Sequence, residues 1–105
     1  MKEQKEIIEE QVINALKHVF DPEIPVNIYD LGLVYSVDVD EHDVAHIVMT
    51  LTAPGCPVAD FLLEEAKQSA LLVDGIKDAD VELVFDPPWD KSMMSEEARL
   101  ELGFY

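Results

Sequence analysis

Cys56 is the sole thiol of the chain, and its neighbours give it a chemical setting. It stands in the run Thr52-Ala53-Pro54-Gly55-Cys56-Pro57, just ahead of a stretch with helical periodicity. Pro57 suits the first position of a helix, because the N–H that proline lacks would have had no partner there. A thiol at that point lies near the positive end of the helix dipole and several free N–H groups. Such a setting lowers the thiol pKa and favours the thiolate, the form that attacks electrophiles and binds soft metals. Gly55 lets the backbone turn tightly and leaves the sulfur accessible. The plainer reading is that a lone cysteine is a small buried hydrophobe. A stiff strand-to-helix turn weighs against it, since loops on a rigid scaffold carry function more often than strand interiors do.

One thiolate cannot hold an iron–sulfur cluster alone, because such clusters usually take four. Cys56 would therefore share a cluster across a homodimer or with a partner, carry sulfur as a persulfide, or hold a single metal ion with help. Asp21, Glu23 and the hydroxyl of Thr52 are the candidate helpers. Asp21-Pro22-Glu23 also has a structural reading, as the stop signal of the preceding helix. The histidines offer less. His18, His42 and His46 form no pair at i, i+4; His42 falls in a turn, His46 on the solvent side of a strand, and His18 at a helix C-terminus, where a cation is favourable. No nucleophile–histidine–acid set and no phosphate-binding glycine loop is evident, so a conventional hydrolase or nucleotide enzyme is not expected. Asp86-Pro87-Pro88-Trp89 reads structurally as a strand stop with Trp89 covering the core rim. Functionally, Trp89 followed by Met93 and Met94 reads as a patch for docking a partner.

The elements that must position these residues follow from periodicity. Residues 3–19 repeat apolar side chains at helical spacing, with Ile8, Val12, Ala15, Leu16 and Val19 on one face. A proline-stiffened loop runs to about Asp30. Leu33 to Val39 alternates with period two, Asp40-Glu41-His42-Asp43 is a polar turn, and Val44 to Leu51 alternates again, which together predict an antiparallel hairpin. Residues 58–73 predict a second helix with Ala59, Leu62, Leu63, Ala66, Ala70 and Val73 buried, and Gly75 caps it. Asp80 to Phe85 predicts a third strand, and Ser95 the N-cap of a short last helix. The order α-β-β-α-β-α, with a crossover joining the second and third strands in parallel, predicts a two-layer α+β domain with a small mixed sheet spanning 1–105.

Composition bounds the rest. At 105 residues the chain suits one domain, and 49% apolar residues suffice for a core. Its 23 acidic and 7 basic residues give a formal charge of −16. That balance repels phosphate backbones and anionic lipid, so neither nucleic acid nor membrane is an expected partner; its plainest meaning is solubility. A single cysteine, no span of roughly 20 apolar residues and no signal-like start point to the cytoplasm.

Five blocks in order carry a resemblance: Asp21-Pro22-Glu23-Ile24-Pro25, Asp30-Leu31-Gly32-Leu33-Val34-Tyr35, Met49-Thr50-Leu51-Thr52-Ala53-Pro54-Gly55-Cys56-Pro57, Val84-Phe85-Asp86-Pro87-Pro88-Trp89 and Met94-Ser95. The sequence resembles the metal–sulfur cluster biosynthesis family, domain of unknown function 59, with its SufT-like and PaaD-like members. The resemblance covers about Val12 to Gly103. It implies a fold like the C-terminal, iron–sulfur cluster assembly domain of NifU-type scaffolds. It implies an auxiliary, non-enzymatic role in maturing iron–sulfur proteins as carrier or adaptor, with Cys56 central and Asp21, Glu23 and Thr52 beside it. The implied partners are the iron–sulfur assembly machinery or apo client proteins, and the implied cargo a transient cluster or iron. Many relatives read Thr-Thr-Pro where this chain has Thr52-Ala53-Pro54, so one hydroxyl is missing. There is no nucleotide-binding segment as in some relatives. The absence of the C-terminal cysteines common in PaaD-like members favours the SufT-like reading over a factor for a phenylacetyl-CoA monooxygenase. Two other readings stay open: a thiol or persulfide enzyme with Asp21 or Glu23 moving protons, and a purely structural interaction domain.

Overall fold

The computed structural model describes residues 2–20, 26–51 and 59–103. Three helices and three strands follow in the order α1 (Lys2–Leu16), β1 (Val34–Val39), β2 (Val44–Met49), α2 (Ala59–Leu71), β3 (Asp78–Leu83) and α3 (Glu96–Leu102), with a short 3-10 turn at Lys91–Met93. The sheet order is β1-β2-β3; β1 pairs antiparallel and β3 parallel to β2. This is the expected α+β mixed sheet.

The register sorts side chains by the period of two. Val37, Ile47 and Val81 form one row facing the helices, and Val39, Ala45 and Ala79 the next. Asp38, His46 and Asp80 form a row on the opposite, solvent face. The helices α1 and α2 pack on each other, α1 against β1 and α2 against β3. Val12 and Leu16 from α1, Leu62, Ala66 and Ala70 from α2, and Ala45, Ile47 and Met49 from β2 make the centre of one continuous core. Alanines at 66, 70, 45 and 79 let helix and sheet approach closely.

Three local outcomes differ from the sequence reading. The first helix stops at Leu16, short of Val19. His18 and Val19 donate N–H bonds three residues back, to Ala15 and Leu16, a tighter turn that ends the helix. The third strand starts at Asp78 and stops at Leu83, because Lys77 N–H already bonds the Asp43 carbonyl at the hairpin turn and sets the pairing from there. Phe85, expected on the core face, is beyond the strand and 44% exposed. In β1, strict alternation is broken by a bulge between Val34 and Ser36. The extra residue turns Val34 onto the face of its partner Met49, where it packs against the core, and frees Tyr35 from that alternation.

The edge of the sheet is covered by a side chain: the Glu9 carboxylate of α1 accepts a hydrogen bond from the Val39 N–H at 3.1 Å. The hairpin turn is closed by Asp40, whose Oδ1 accepts from the N–H groups of His42 (2.8 Å) and Val44 (3.1 Å), with Asp43 in the left-handed region at φ 62°. Among the described residues no helix is long and apolar enough to cross a membrane.

Candidate functional site

The four residues that carry the expected thiol chemistry, Cys56, Asp21, Glu23 and Thr52, lie outside the described residues, as do the rest of 21–25 and 52–58. What the structure describes is how the stems of those two segments are held. Ile28 N–H donates to the Val19 carbonyl at 2.8 Å, Leu33 N–H to the Ile28 carbonyl at 3.0 Å, and Thr50 N–H to the Leu33 carbonyl at 2.8 Å. From Val19 onward, each carbonyl in this ladder accepts from the N–H of the next residue named. It starts just before residue 21 and finishes just before residue 52. Phe20 and Asn27 add an antiparallel bridge that closes the base of 21–25. Thr50 and Leu51 are buried, so the second stem leaves from the core. The helix that follows Cys56 is α2, whose first described residue is Ala59 and whose first turn carries Asp60.

The loop before β1 and the segment after β3, which between them carry three of the five sequence blocks, pack directly on each other. The loop before β1 folds through an Asx turn: Asn27 Oδ1 accepts from the Asp30 N–H at 2.9 Å, and Asn27 Nδ2 donates to Asp30 Oδ2 at 2.8 Å. Gly32 ends it at φ +88°. The segment 87–95 lies across this loop. Trp89 Nε1 donates to the Leu31 carbonyl at 2.8 Å, Ser95 N–H to the Asp30 carbonyl at 2.8 Å, and the Tyr35 hydroxyl to the Pro87 carbonyl at 2.6 Å. The Met93 backbone sits so near Gly32 that a Cβ there would lie 2.5 Å from the Met93 carbonyl oxygen. Asp90 receives bonds from the Ser92 hydroxyl and N–H, which hold its carboxyl below the usual range. Ser95 Oγ caps α3 by accepting from the Ala98 N–H at 3.1 Å, as its sequence position suggested.

These contacts correct the reading of Trp89, Met93 and Met94 as one docking patch. Met94 is 3% exposed and belongs to the core. A partner could touch it only if the core opened. Trp89 is half-buried against the core, with its N–H committed to Leu31. Met93 alone of the three is exposed, and its sulfur lies 3.7 Å from the Tyr35 hydroxyl.

Where these two segments meet, a cavity of about 620 Å³ opens, lined in part by Tyr29, Asp30, Val34, Tyr35, Pro87 and Met93. A smaller one of about 230 Å³ lies beside it, between Phe20, Asp30, Glu97 and Glu101. Asp30 lines both. In the sequence Asp30 belongs to a motif with no role assigned to its carboxylate; the signal is the unbroken block Asp30 to Tyr35 itself, with its glycine. Lys17 Nζ lies 5.3 Å from the centre of the Tyr29 ring, a cation–π contact.

The solvent face of the sheet couples a histidine to two carboxylates. His46 Nε2 is 2.8 Å from Asp40 Oδ2, and its Nδ1 is 3.7 Å from Asp80 Oδ2. The hydrogen bond with His46, helped by the N–H of Val44, holds the Asp40 carboxyl down at about 2. The same bond, with a smaller contribution from Asp80, raises the His46 imidazole above its ordinary value. His42 lies out in solvent, as expected. Among the described residues no group of three or more His, Cys, Asp or Glu side chains is arranged to hold a metal ion.

The architecture is a small α+β domain in which one hydrogen-bond ladder joins Val19, Ile28, Leu33 and Thr50. The chain belongs to the iron–sulfur cluster assembly protein family, which matches residues 9–83. It is 53% identical to an Fe-S protein maturation auxiliary factor of Porphyromonas gingivalis, over 91% of each chain. It is 43% identical to the Fe-S protein maturation auxiliary factor YitW of Bacillus subtilis, over 94% of this chain and 97% of that one. A crystal structure of a domain of unknown function, DUF59, from Bacillus anthracis superposes with a TM-score of 0.93, at 37% identity and over the whole of both chains.

Proposed function

We propose that this protein is a SufT-like auxiliary factor in iron–sulfur protein maturation. It acts as carrier or adaptor rather than as an enzyme, with Cys56 as its working side chain. The observation that carries the reading is full-length similarity, 53% identity over 91% of both chains, to a protein named for that role. The ladder from Val19 to Thr50 supports it physically. It ties together described residues that flank both segments, Val19 ahead of 21–25 and Thr50 ahead of 52–58, which favours a reading in which Asp21, Glu23, Thr52 and Cys56 work together.

The cargo is iron or a cluster in transit. A thiolate is a suitable ligand for it, and carboxylate neighbours suit iron more than a resident soft-metal site would require. Cys56 supplies one ligand where a cluster wants four. The others come from a second copy, from the assembly machinery or from the apo client, and a carrier with an incomplete ligand set releases its cargo readily. Partners of this kind, and a cytoplasmic setting, belong to the same proposal.

The test is anaerobic reconstitution with ferrous iron and sulfide, read by absorption and native mass, on the wild type and on Cys56→Ser. It is paired with the activity of cluster-dependent enzymes in cells carrying either form. We expect iron or cluster retention and enzyme activity to fall together in Cys56→Ser. Undiminished cluster enzymes in cells with the variant would refute the role of the thiol.

A further inference from the structure

We propose that the paired cavities meeting at Asp30 form a docking groove for a partner-protein segment that carries an arginine or lysine beside an aliphatic side chain. The two halves of the groove differ in chemistry. The larger is walled by Val34, Tyr35, Pro87 and Met93, an apolar surface with an adaptable thioether at its mouth. The smaller is bordered by Glu97 and Glu101 of α3. Asp30 stands at the junction. One of its oxygens accepts from Asn27 Nδ2, and among the described residues the other has no bond.

Charge complementarity selects the occupant. Among the described residues no lysine or arginine lines either cavity, whereas Asp30, Glu97 and Glu101 do. Glu97 has a local explanation, since it sits in the first turn of α3 and favours the helix dipole. Glu101 has none. It lies near the C-terminus of the helix, where an anion opposes the dipole, and one turn from Glu97, where like charges repel. A cation delivered from outside relieves both. Lys17 on the Tyr29 ring shows this rim already drawing a cation from within the chain. A second copy is a poor occupant: with 23 acidic residues against 7 basic ones, it would bring acid to acid. A metal ion is also disfavoured, because no metal-holding group is found among the described residues. The groove does not depend on what Cys56 carries.

The probe is the capped peptide acetyl-Gly-Leu-Arg-Leu-Gly-amide, titrated into the full-length isotope-labelled protein and followed by amide chemical shifts. The control is the same peptide with citrulline for arginine. We expect saturable shifts confined to residues 29–35 and 93–101, and binding weaker by about threefold or more for the citrulline peptide. The variants D30N and E101Q should each show a similar loss, whereas D38N, on the far face of the sheet, should not. E101Q changes an exposed side chain and keeps the test valid even if D30N disturbs the Asx turn. Shifts spread over the whole acidic surface, equal binding of the citrulline peptide, or E101Q binding as tightly as wild type would each overturn the proposal.

Discussion

Trp89 and Leu31 are joined by a 2.8 Å hydrogen bond from the indole Nε1 to the main-chain carbonyl. Through it the segment after β3 is pinned onto the loop before β1, residues far apart in the chain. The bond satisfies a carbonyl of the buried Leu31 that has no backbone partner among the described residues. Trp89→Phe keeps most of the apolar cover and removes the donor, so it should cost about 1–2 kcal/mol. Trp89→Ala should cost about 2–4 kcal/mol, because cover is lost too. Urea unfolding of the three proteins decides the matter; equal stability of Trp89→Phe and wild type would mean that water replaces the indole freely.

Gly32 is the tightest point of the same contact. Its φ of +88° strains any L side chain, and the space for a Cβ is taken by the Met93 carbonyl. Gly32→Ala must move main chain rather than a flexible side chain. We expect a loss of about 2 kcal/mol or more. The shift should also reach Met93 and Ser95, visible as changed amide resonances there. A variant as stable as the wild type would show that the 87–95 segment is held less firmly than the geometry indicates.

Ser95 links this region to α3. Its N–H bonds Asp30, and its hydroxyl caps the helix. Ser95→Ala removes only the cap and should destabilise by about 1 kcal/mol, whereas Ser95→Asp should retain most of it. Thermal melts of the pair separate loss of the cap from general disturbance of the contact.

The Asp40–His46 pair gives a pH dependence of defined sign. Asp40 falls from 3.8 to about 2 on folding, so its contribution is present above about pH 4 and fades as pH drops toward 2. His46 rises above 6.5, so its contribution is complete below pH 6.5 and is lost as pH climbs through the raised value. The pair therefore helps most between about pH 4 and 6.5. Asp80 flanks the imidazole in the same cross-strand row and acts in the same direction. The side chain of His46 is 43% exposed, so solvent screens the effect and it should be small. His46→Gln should narrow the gap in melting temperature between pH 5.5 and pH 8.5. A histidine titration by NMR that places His46 at or below 6.5 would contradict the geometry.

Sequence alone determined the order of elements and the mixed sheet. Those follow from period-two and helical repeats of apolar residues, and burial enforces such repeats locally. It also marked the N-cap at Ser95 and the blocks around Asp30, Cys56 and Trp89, because turn chemistry and unusual residues are visible one position at a time. Tertiary structure decided what pairwise contact decides. The bulge at Tyr35 comes from pairing with β2, not from any residue in β1. Met93 and Met94 look alike in the sequence, yet one is exposed and the other lies in the core, because the turn at Lys91–Met93 sends successive side chains to opposite sides. The meeting of Asp30 with Glu97 and Glu101 needs the chain to return across some 70 residues, through Trp89 on Leu31 and Ser95 on Asp30. No periodicity records such a return, since it costs chain entropy that only the assembled contacts offset.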